Sequence, residues 1–239
     1  MQDINYWEEK FEDCCYSKRL LDKITYLNRL VKHQVDLREI KKGIYYARKY
    51  HGAQMRQSGE PYYSHPIEVA YMVAEFGAYE APRLFTSTIL NATLLHDTIE
   101  DTKLTEEEIS NIFDKDIAKH VEGLTRIKPY GKISVEESIN LLMKQKRHDT
   151  ALIKIFDRVH NLQTLGVKSP EKIQKIIKET LEHFLYICAY FEIYTVEHTL
   201  VKLCREMFEQ QANLKRMALK EKILKADNYL EVFQAIQNG

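Results

Sequence analysis

The stretch ILNATLLHDTIEDT, residues 89–102, combines an apolar helical surface with a group of imidazole and carboxylate side chains. At roughly 100° per residue, one helix would place its polar residues within an arc of about 140°. These residues are His96, Asp97, Glu100 and Asp101. Because buried carboxylates are costly unless they pair with cations or bind a metal, the stretch predicts a buried helix that carries a functional site.

A second His-Asp dipeptide in the chain shows that the pair alone proves little. His148-Asp149 belongs to the lysine-rich stretch KQKRHD, residues 144–149, which the composition predicts to be exposed. Taken in isolation, His96-Asp97 is more often a hydrogen-bonded structural pair than a metal site. The two acidic residues that follow it on the same predicted helical face favour the functional interpretation.

A second segment, RQSGEPYYSHP at residues 56–66, interrupts the helical pattern after a helix predicted at Ile40 to His51. Pro66 suits the first position of the next helix, and Gly77 is the predicted C-cap of that helix. The sequence therefore predicts that His65 lies at a helix N-terminus.

The third segment, ALIKIFDRVHNLQTL at residues 151–165, has one apolar face at helical spacing. Asp157, Asn161 and Thr164 form a narrow stripe nearly opposite that face. Considered by itself, this stripe indicates an ordinary solvent-exposed surface. Only the other two segments make it a candidate site.

Together, the three segments supply two imidazoles and two carboxylates, a donor set that suits a borderline divalent cation such as manganese, iron or zinc. The donors are His65, His96, Asp97 and Asp157. A nearby carboxylate could orient or deprotonate a metal-bound water, and Glu100 and Asp101 are the candidates for this role. His51 could compete with His65 as a ligand, and spacing alone leaves that choice open. The pattern predicts a metal-dependent phosphohydrolase.

Composition limits the other classes of function. A chain of 239 residues with 44% hydrophobic content predicts one main domain. Its 35 basic and 35 acidic residues balance, so net charge gives no reason to expect nucleic-acid or membrane partners. The charged N-terminal stretch MQDINYWEEKFEDCC and the absence of a long apolar run predict a cytoplasmic protein.

Glycine and proline are scarce, at eight and five residues, which predicts an all-α fold. Apolar residues recur at helical spacing over residues 4–37, and another helix is predicted from Arg83 to Asp97. A short helix should begin at Thr105, a loop should surround Pro129, and helices should continue over residues 135–235.

In their order and spacing, the motifs closely resemble the HD-superfamily hydrolase domain of RelA/SpoT homologues, enzymes that make and degrade the alarmone (p)ppGpp. The motifs are RxSGEPYxxHP at 56–66, LHDxxEDT at 95–102, GxT at 123–125, DRxHN at 157–161 and IKET at 177–180. The resemblance implies an HD-domain helical bundle with extra helices at both ends. The implied segments are an N-terminal helical extension at 1–38, an HD hydrolase domain at 39–195 and a C-terminal helical extension at 196–239.

The resemblance also implies roles for individual residues. The four protein ligands of a manganese ion, or of another divalent metal, would be His65, His96, Asp97 and Asp157. Glu100 and Asp101 would activate and position the attacking water, and the reaction would convert ppGpp or pppGpp to GDP or GTP and pyrophosphate. The nucleotide pocket would include Arg56, Gln57, Ser58, Asn161 and Thr164.

Three positions depart from the usual family pattern. Gln57 and Arg126 stand where lysine is frequent, and Phe156 stands where alanine is frequent. An arginine in place of lysine keeps the charge but changes the donor geometry. None of these departures removes a predicted ligand, but they leave the preferred nucleotide open.

The 45 residues that follow Tyr194, 239 minus 194, are too few for the family's synthetase domain, so hydrolysis without synthesis is expected. The terminal helices are expected to pack within the chain or to form a homo-oligomer. Two alternative functions remain. One is an HD phosphohydrolase for another phosphorylated nucleotide, such as NADPH, and the other is a non-catalytic alarmone-binding or interaction protein. The complete set of ligand and water-activating residues argues against the second.

Overall fold

The computed structural model describes residues 6–225, which are mostly helical, and this confirms the predicted all-α class. The predicted helical segments that fall on residues 1–5 and 226–239 lie outside the described part. The chain divides into two compact units, the first ending at Asn161 and the second beginning at Leu162. The three segments expected from the sequence, at 1–38, 39–195 and 196–239, stay a prediction.

The first unit contains most of the helices. They are α1 (Tyr6–Glu9), α2 (Cys15–Leu27), α3 (Leu37–His51), α4 (Ser64–Tyr79), α5 (Ser87–Leu94), α6 (Thr98–Asp101), α7 (Glu106–Ile112), α8 (Lys115–Leu124) and α9 (Val135–Lys144). Helix α10 (His148–Gln163) starts in this unit, and a 3₁₀ turn at Pro82–Leu84 precedes α5.

The second unit is described by itself. It contains a 3₁₀ turn (Leu165–Val167), α11 (Pro170–Glu179), a π-helical turn (Thr180–Phe184), α12 (Leu185–Tyr190) and the long helix α13 (Tyr194–Lys225). Helix α13 packs against α11 and α12, and it buries Val196, Leu200 and Cys204. The other face of α13 carries many charged residues, which form i,i+4 pairs such as Lys202 with Glu206.

The core of the first unit is built around α5, because α3, α4 and α8 all pack against it. The approach of α3 is close: a Cβ atom added at Gly43 would lie 2.0 Å from Oδ1 of Asn91, which is fully buried on α5. Helix α2 covers α3 and α4. At the N-terminal end, the buried side chain of Trp7 in α1 packs against Tyr45 of α3, with ring centroids 6.4 Å apart.

Helix α4 begins earlier and ends later than predicted. Ser64 is its first residue, so Pro66 is the third, a position that tolerates proline because the first-turn N–H groups have no helical partner. The predicted C-cap at Gly77 is wrong, because Gly77 lies inside the helix and Glu80 is the C-cap. The glycine permits close packing instead, since a Cβ there would lie 2.9 Å from the backbone nitrogen of Phe85.

The predicted continuous helix from Arg83 to Asp97 is also wrong, because the chain leaves helical geometry between α5 and α6. Here the carbonyl of Thr93 accepts the backbone N–H of His96, and the carbonyl of Leu95 accepts the N–H of Thr98. The Thr98 hydroxyl also donates to Leu95, at 2.7 Å. These short-range bonds replace the i→i−4 pattern, so the four polar residues do not share one straight helical face.

The loop predicted around Pro129 contains a small antiparallel hairpin of β1 (Ile127–Lys128) and β2 (Gly131–Lys132). Ile127 pairs with Lys132, and Lys128 pairs with Gly131. Gly131 has a φ of 121°, which glycine adopts without the strain that a side chain would introduce. The hairpin follows α8 directly.

Across residues 6–225, every helix is either too short or too polar to span a lipid bilayer.

Candidate active site

Three elements of the first unit bring imidazole and carboxylate donors together. His65 lies in the first turn of α4, His96 lies in the break between α5 and α6, and Asp157 lies on α10. One ligand atom from each of these residues lies within 4.8 Å of the other two. Both histidines are buried, with exposures of 2% and 4%. These residues form a candidate metal site. They are three of the four ligands that the sequence predicted, and the fourth is Asp97.

The backbone and a neighbouring histidine fix the direction of both imidazoles. Nδ1 of His96 lies 2.8 Å from the Thr93 carbonyl, so this nitrogen donates to the carbonyl and Nε2 is the ring nitrogen that faces the cluster. Nδ1 of His65 lies 2.8 Å from Nδ1 of His160. The two Nε2 atoms, 3.2 Å apart, therefore face the same point. Such outer hydrogen bonds are typical of histidines that bind metals.

The carboxylates of Asp157 and Asp97 both approach the two imidazoles. Oδ1 of Asp157 lies 3.0 Å from Nε2 of His65 and 3.6 Å from Nε2 of His96. The carboxylate of Asp97 contacts the same nitrogens, at 3.4 Å from His65 and 3.1 Å from His96. The Asp97 and Asp157 side chains stay 23% and 25% exposed, so the cluster is open to solvent on the carboxylate side.

The electrostatics of the cluster favour a bound cation. Burial opposes charge here, yet the two imidazoles hold the pKa values of the Asp97 and Asp157 carboxyls well below their ordinary range. Burial would likewise lower the pKa of His96, but the same two carboxylates raise it well above its ordinary value. A divalent cation would take the place of the shared proton, because metal ligands bind in their deprotonated forms.

Asp101, one of the two predicted water-activating residues, lies beside this cluster and is held by a tyrosine. The hydroxyl of Tyr62 donates to Oδ2 of Asp101 at 2.5 Å and lies 3.2 Å from Oδ2 of Asp97. Burial and the nearby negative charges of Asp97 and Glu100 raise the pKa of the Asp101 carboxyl, and the bond from Tyr62 opposes that shift.

Glu100, the other predicted water-activating residue, points toward the hairpin. Its Oε2 accepts the backbone N–H of Arg126 at 3.1 Å. Its Oε1 lies 3.2 Å from the Arg126 guanidinium and 2.7 Å from Nζ of Lys132. Burial opposes the effect, but Lys132 and Arg126 together lower the pKa of Glu100. The two acidic residues are therefore adjacent in sequence but have opposite electrostatic environments.

The predicted nucleotide-pocket residues divide between several environments. Arg56 begins a turn that ends at Gly59, whose φ is 99°. The guanidinium of Arg56 lies 3.4 Å from Oδ1 of Asn161. Asn161 in turn donates to Oδ1 of Asp157 at 2.6 Å, so it connects the turn to the metal cluster. Ser58 donates to Glu60 at 2.5 Å.

The last two predicted pocket residues are Gln57 and Thr164. Gln57 is exposed at the tip of the turn. Thr164 belongs to the second unit, where it is the residue before the 3₁₀ turn at Leu165–Val167. The roles assigned to both residues stay predictions.

The structure also bears on the choice between His51 and His65 as a ligand. His51 ends α3, stacks on the Tyr62 ring at 4.6 Å between centroids, and lies with Nδ1 2.9 Å from Oε1 of Gln54. The candidate metal cluster contains His65 and does not include His51.

Sequence reasoning did not single out three residues next to the site. Tyr62 lies within the GEPYY motif, and His160 follows Asp157 by three residues and so shares its helical face. Lys154 precedes Asp157 by three residues, and its buried ammonium donates to the Leu124 carbonyl at 2.9 Å. The i,i+3 spacing around Asp157 was the signal that could have identified His160 and Lys154.

Comparisons with known proteins identify the family of the chain. A family model described as an HD domain matches residues 43–189. A GTP pyrophosphokinase of Brucella ovis is 39% identical over 164 residues, which cover 65% of this chain and 21% of that protein. A guanosine-3′,5′-bis(diphosphate) 3′-pyrophosphohydrolase of Aquifex aeolicus is 34% identical over 215 residues, which cover 87% of this chain and 30% of that protein.

The bifunctional (p)ppGpp synthase/hydrolase SpoT of Escherichia coli is 32% identical over 186 residues, covering 74% of this chain and 26% of that protein. The chain thus spans less than a third of the length of these relatives. A solved structure of a metazoan SpoT orthologue that hydrolyses ppGpp has the same fold, with a TM-score of 0.53 and 21% identity. That match covers 72% of this chain and 95% of the solved chain. The predicted resemblance to RelA/SpoT homologues is confirmed by these relatives, and the chain belongs to the HD-domain family.

Proposed function

We propose that this chain is a manganese-dependent 3′-pyrophosphohydrolase that degrades (p)ppGpp to GDP or GTP and pyrophosphate. The observation that carries the proposal is the convergence of His65, His96 and Asp157 beside the carboxylates of Asp97 and Asp101. A named 3′-pyrophosphohydrolase of guanosine bis(diphosphate) among its relatives supports the substrate. The mixed imidazole and carboxylate donor set supports manganese, iron or zinc, and the family resemblance favours manganese.

In this proposal, Asp97 completes the ligand set, because its carboxylate already contacts Nε2 of both ligand histidines. His160 and the Thr93 carbonyl hold those imidazoles in the orientation that binding requires. A divalent cation bound there would lower the pKa of a coordinated water and neutralise phosphoryl charge.

The two water-activating candidates have separate parts. Both oxygens of Glu100 are engaged by Arg126 and Lys132, so this carboxylate holds the hairpin against the site. Asp101 is bound through Oδ2 alone, and within residues 6–225 its Oδ1 has no hydrogen-bond partner. Asp101 is therefore the better proton acceptor, and a partly buried carboxylate with a raised pKa suits that role.

The reaction has a defined balance. A water oxygen forms a bond to the phosphorus that carries the ribose 3′-oxygen, and the bond between that phosphorus and the 3′-oxygen breaks. Asp101 takes one water proton and releases it to solvent, the departing 3′-oxygen takes one proton from solvent, and pyrophosphate leaves. Arg56 and Asn161, which contact each other, would bind the nucleotide from the adjacent turn and helix.

The decisive experiment is turnover of ppGpp by the purified full chain with Mn²⁺, following GDP and pyrophosphate. The proposal expects hydrolysis that stops when a chelator removes the metal. A parallel panel containing pppGpp and NADPH tests specificity, and ppGpp turnover no faster than NADPH turnover would reject the alarmone as the preferred substrate. Addition of ATP with GDP tests the separate prediction that the chain does not synthesise the alarmone.

Metal binding gives a second, independent measurement. A ligand that binds only the folded state stabilises it by about 2.7 kcal/mol at a concentration one hundred times its dissociation constant. Added Mn²⁺ should therefore raise the unfolding temperature, and a chelator should reverse the change. A protein with no bound divalent ion and no such stabilisation would favour the non-catalytic alternative.

A further inference from the structure

The phenol of Tyr62 lies between two carboxylates that have different proposed roles. Its hydroxyl is 2.5 Å from Oδ2 of Asp101 and 3.2 Å from Oδ2 of Asp97. A phenol has a single proton, so the shorter contact, to Asp101, is the donated hydrogen bond. Tyr62 therefore ties the proposed proton acceptor to a fixed position next to the proposed metal ligand.

Two neighbours hold the Tyr62 ring and backbone in place. The imidazole of His51 stacks on the ring, with centroids 4.6 Å apart and planes inclined by 22°. The backbone N–H of Tyr62 donates to the Gln54 carbonyl at 2.9 Å. The ring cannot swing away from Asp101 without breaking the stack or moving this backbone segment.

Gln54 closes the arrangement into a loop of contacts. Its side-chain Nε2 donates to the backbone carbonyl of Asp101 at 3.0 Å, and its Oε1 lies 2.9 Å from Nδ1 of His51. Asp101 is thus held at its backbone by Gln54 and at its carboxylate by Tyr62. Both contacts originate in the segment between α3 and α4, which is remote in sequence from α6.

The phenol stays protonated in this environment. The ordinary pKa of a tyrosine phenol is about 10, well above neutral pH. At neutral pH the group can therefore only donate to a carboxylate. With Oδ2 of Asp101 engaged, the lone pairs of Oδ1 are left to accept a proton from water.

We propose that Tyr62 is a positioning residue for hydrolysis, which aims the Asp101 carboxylate at the attacking water while His51 and Gln54 hold Tyr62. This inference rests on the proposed function, and it adds a residue that acts through Asp101 rather than through the substrate. Tyr62 positions the proton acceptor without contributing a metal ligand.

The adjacent tyrosine provides a matched control. Tyr63 packs on Tyr16 with centroids 6.4 Å apart, and the Arg48 guanidinium lies 5.1 Å from its ring centroid. None of these neighbours belongs to the proposed site. Tyr63→Phe therefore removes the same atom as Tyr62→Phe, one residue away, without removing a bond to Asp101.

The kinetic test compares wild type, Tyr62→Phe and Tyr63→Phe as full-length, Mn²⁺-loaded proteins. A misplacement of about 1 Å in a catalytic group can cost about 100-fold in rate, so kcat of Tyr62→Phe should fall by about that factor. KM and bound manganese should stay unchanged, and Tyr63→Phe should match wild type. An unchanged kcat, or equal loss in both variants, would overturn the proposal. Loss of manganese would do so too, because it would place the role of the phenol at Asp97.

A second readout does not depend on the substrate. Carbon-13 NMR of the Asp101 carboxyl, in protein loaded with diamagnetic Zn²⁺, measures its pKa in the three proteins. The charged and titratable groups that face Asp101 are Asp97, Glu100, His51 and Tyr62. Because the phenol stabilises the carboxylate anion, its removal in Tyr62→Phe should raise the pKa of Asp101.

The two measurements separate the inference from the proposed function. If wild type hydrolyses ppGpp and Tyr62→Phe is equally active, the positioning role fails and the function stands. If wild type does not hydrolyse ppGpp, the function fails, and the Asp101 titration alone decides the inference. A pKa that is the same in all three proteins would then reject Tyr62 as the residue that positions Asp101.

Discussion

The two His-Asp dipeptides of this chain have the same sequence and opposite surroundings. His96 is 4% exposed, and its Nε2 approaches both Asp97 and a second aspartate from α10. Asp149, at the start of α10, instead pairs with Arg83, and their side chains are 34% and 58% exposed. The dipeptide alone does not make a metal site. The site depends on donors that the fold brings from other segments.

The backbone differs between the two pairs as well. His96-Asp97 lies between the end of α5 and the start of α6, so neither side chain projects in the direction that a regular helix would impose. His148-Asp149 opens a regular helix, where an acidic residue in the first turn interacts favourably with the helix dipole. His148-Asp149 therefore has a structural role at the start of a helix. The interruption between α5 and α6 instead allows the side chains of His96 and Asp97 to approach His65.

The largest expected difference between the two dipeptides appears when the histidine of each is replaced. His96→Gln removes a donor, and since a metal contributes several kcal/mol to the transition state, ppGpp turnover should fall by about a thousandfold or more. Asp157→Ala should lose metal in the same way. His148→Gln should retain both metal and turnover. Equilibrium dialysis with Mn²⁺ and an initial-rate assay make the measurement, and equal losses at the two histidines would refute the contrast.

A smaller loss of activity is expected when the proposed proton acceptor is replaced and the metal site is left intact. Asp101→Asn should lower kcat by about 100- to 10,000-fold, the usual contribution of a positioned general base, while manganese binding is retained. Adding Glu100→Gln should abolish the remaining turnover. The control is Asp149→Asn, the same carboxamide exchange beside the surface dipeptide. Wild-type kcat in Asp101→Asn would remove this residue from the mechanism.

Helix α10 itself offers a pH-dependent comparison, because it runs from the half-buried His148-Asp149 pair to the buried Lys154. Burial lowers the pKa of Lys154 to about 8 from an ordinary 10.5. Between these values the unfolded chain binds more protons than the folded chain, so stability rises with pH in that window. Relative to Lys154→Met, wild type should gain up to about 3 kcal/mol between pH 8 and pH 10.5, at about 1.4 kcal/mol per pKa unit.

Urea unfolding at the two pH values measures that difference. Lys144→Met is the matched control, because it makes the same exchange at an exposed lysine near the second dipeptide. Parallel pH profiles for wild type and Lys154→Met would show that the buried ammonium has no altered titration.

The smallest effect is expected at the surface pair. Asp149→Asn breaks the ion pair with Arg83, and exposed pairs of this kind typically contribute about 0–1 kcal/mol. The free energy of unfolding should change by no more than that amount, and the change should shrink at high salt. A larger loss would give the second dipeptide a structural importance that its exposure does not suggest.

The sequence was sufficient to predict which segments meet. The donors His65, His96 and Asp157 come from three separate segments, and the structure places their ligand atoms together. Apolar periodicity predicted the helices α3 and α10 well, because a buried apolar face is recorded directly in residue spacing. The family motifs supplied the order of the segments.

The sequence could not predict the break between α5 and α6. The residues there have no proline or glycine, and the break depends on hydrogen bonds that His96 and Thr98 side chains make to nearby carbonyls. For the same reason it could not separate Glu100 from Asp101, since their directions depend on contacts with a distant hairpin and with Tyr62. Local periodicity placed Glu100 and Asp101 on one helical face, but long-range contacts determine the environment and role of each.

The buried position of Trp7 has a practical consequence for spectroscopy. It is the single tryptophan of the chain, and it lies in α1 against Tyr45, with the Arg38 guanidinium 5.9 Å from its ring centroid. The intrinsic tryptophan fluorescence of the protein therefore reports on how α1 is docked on α3. A red shift of the emission would signal release of this N-terminal segment, and it needs no label and no change to the site.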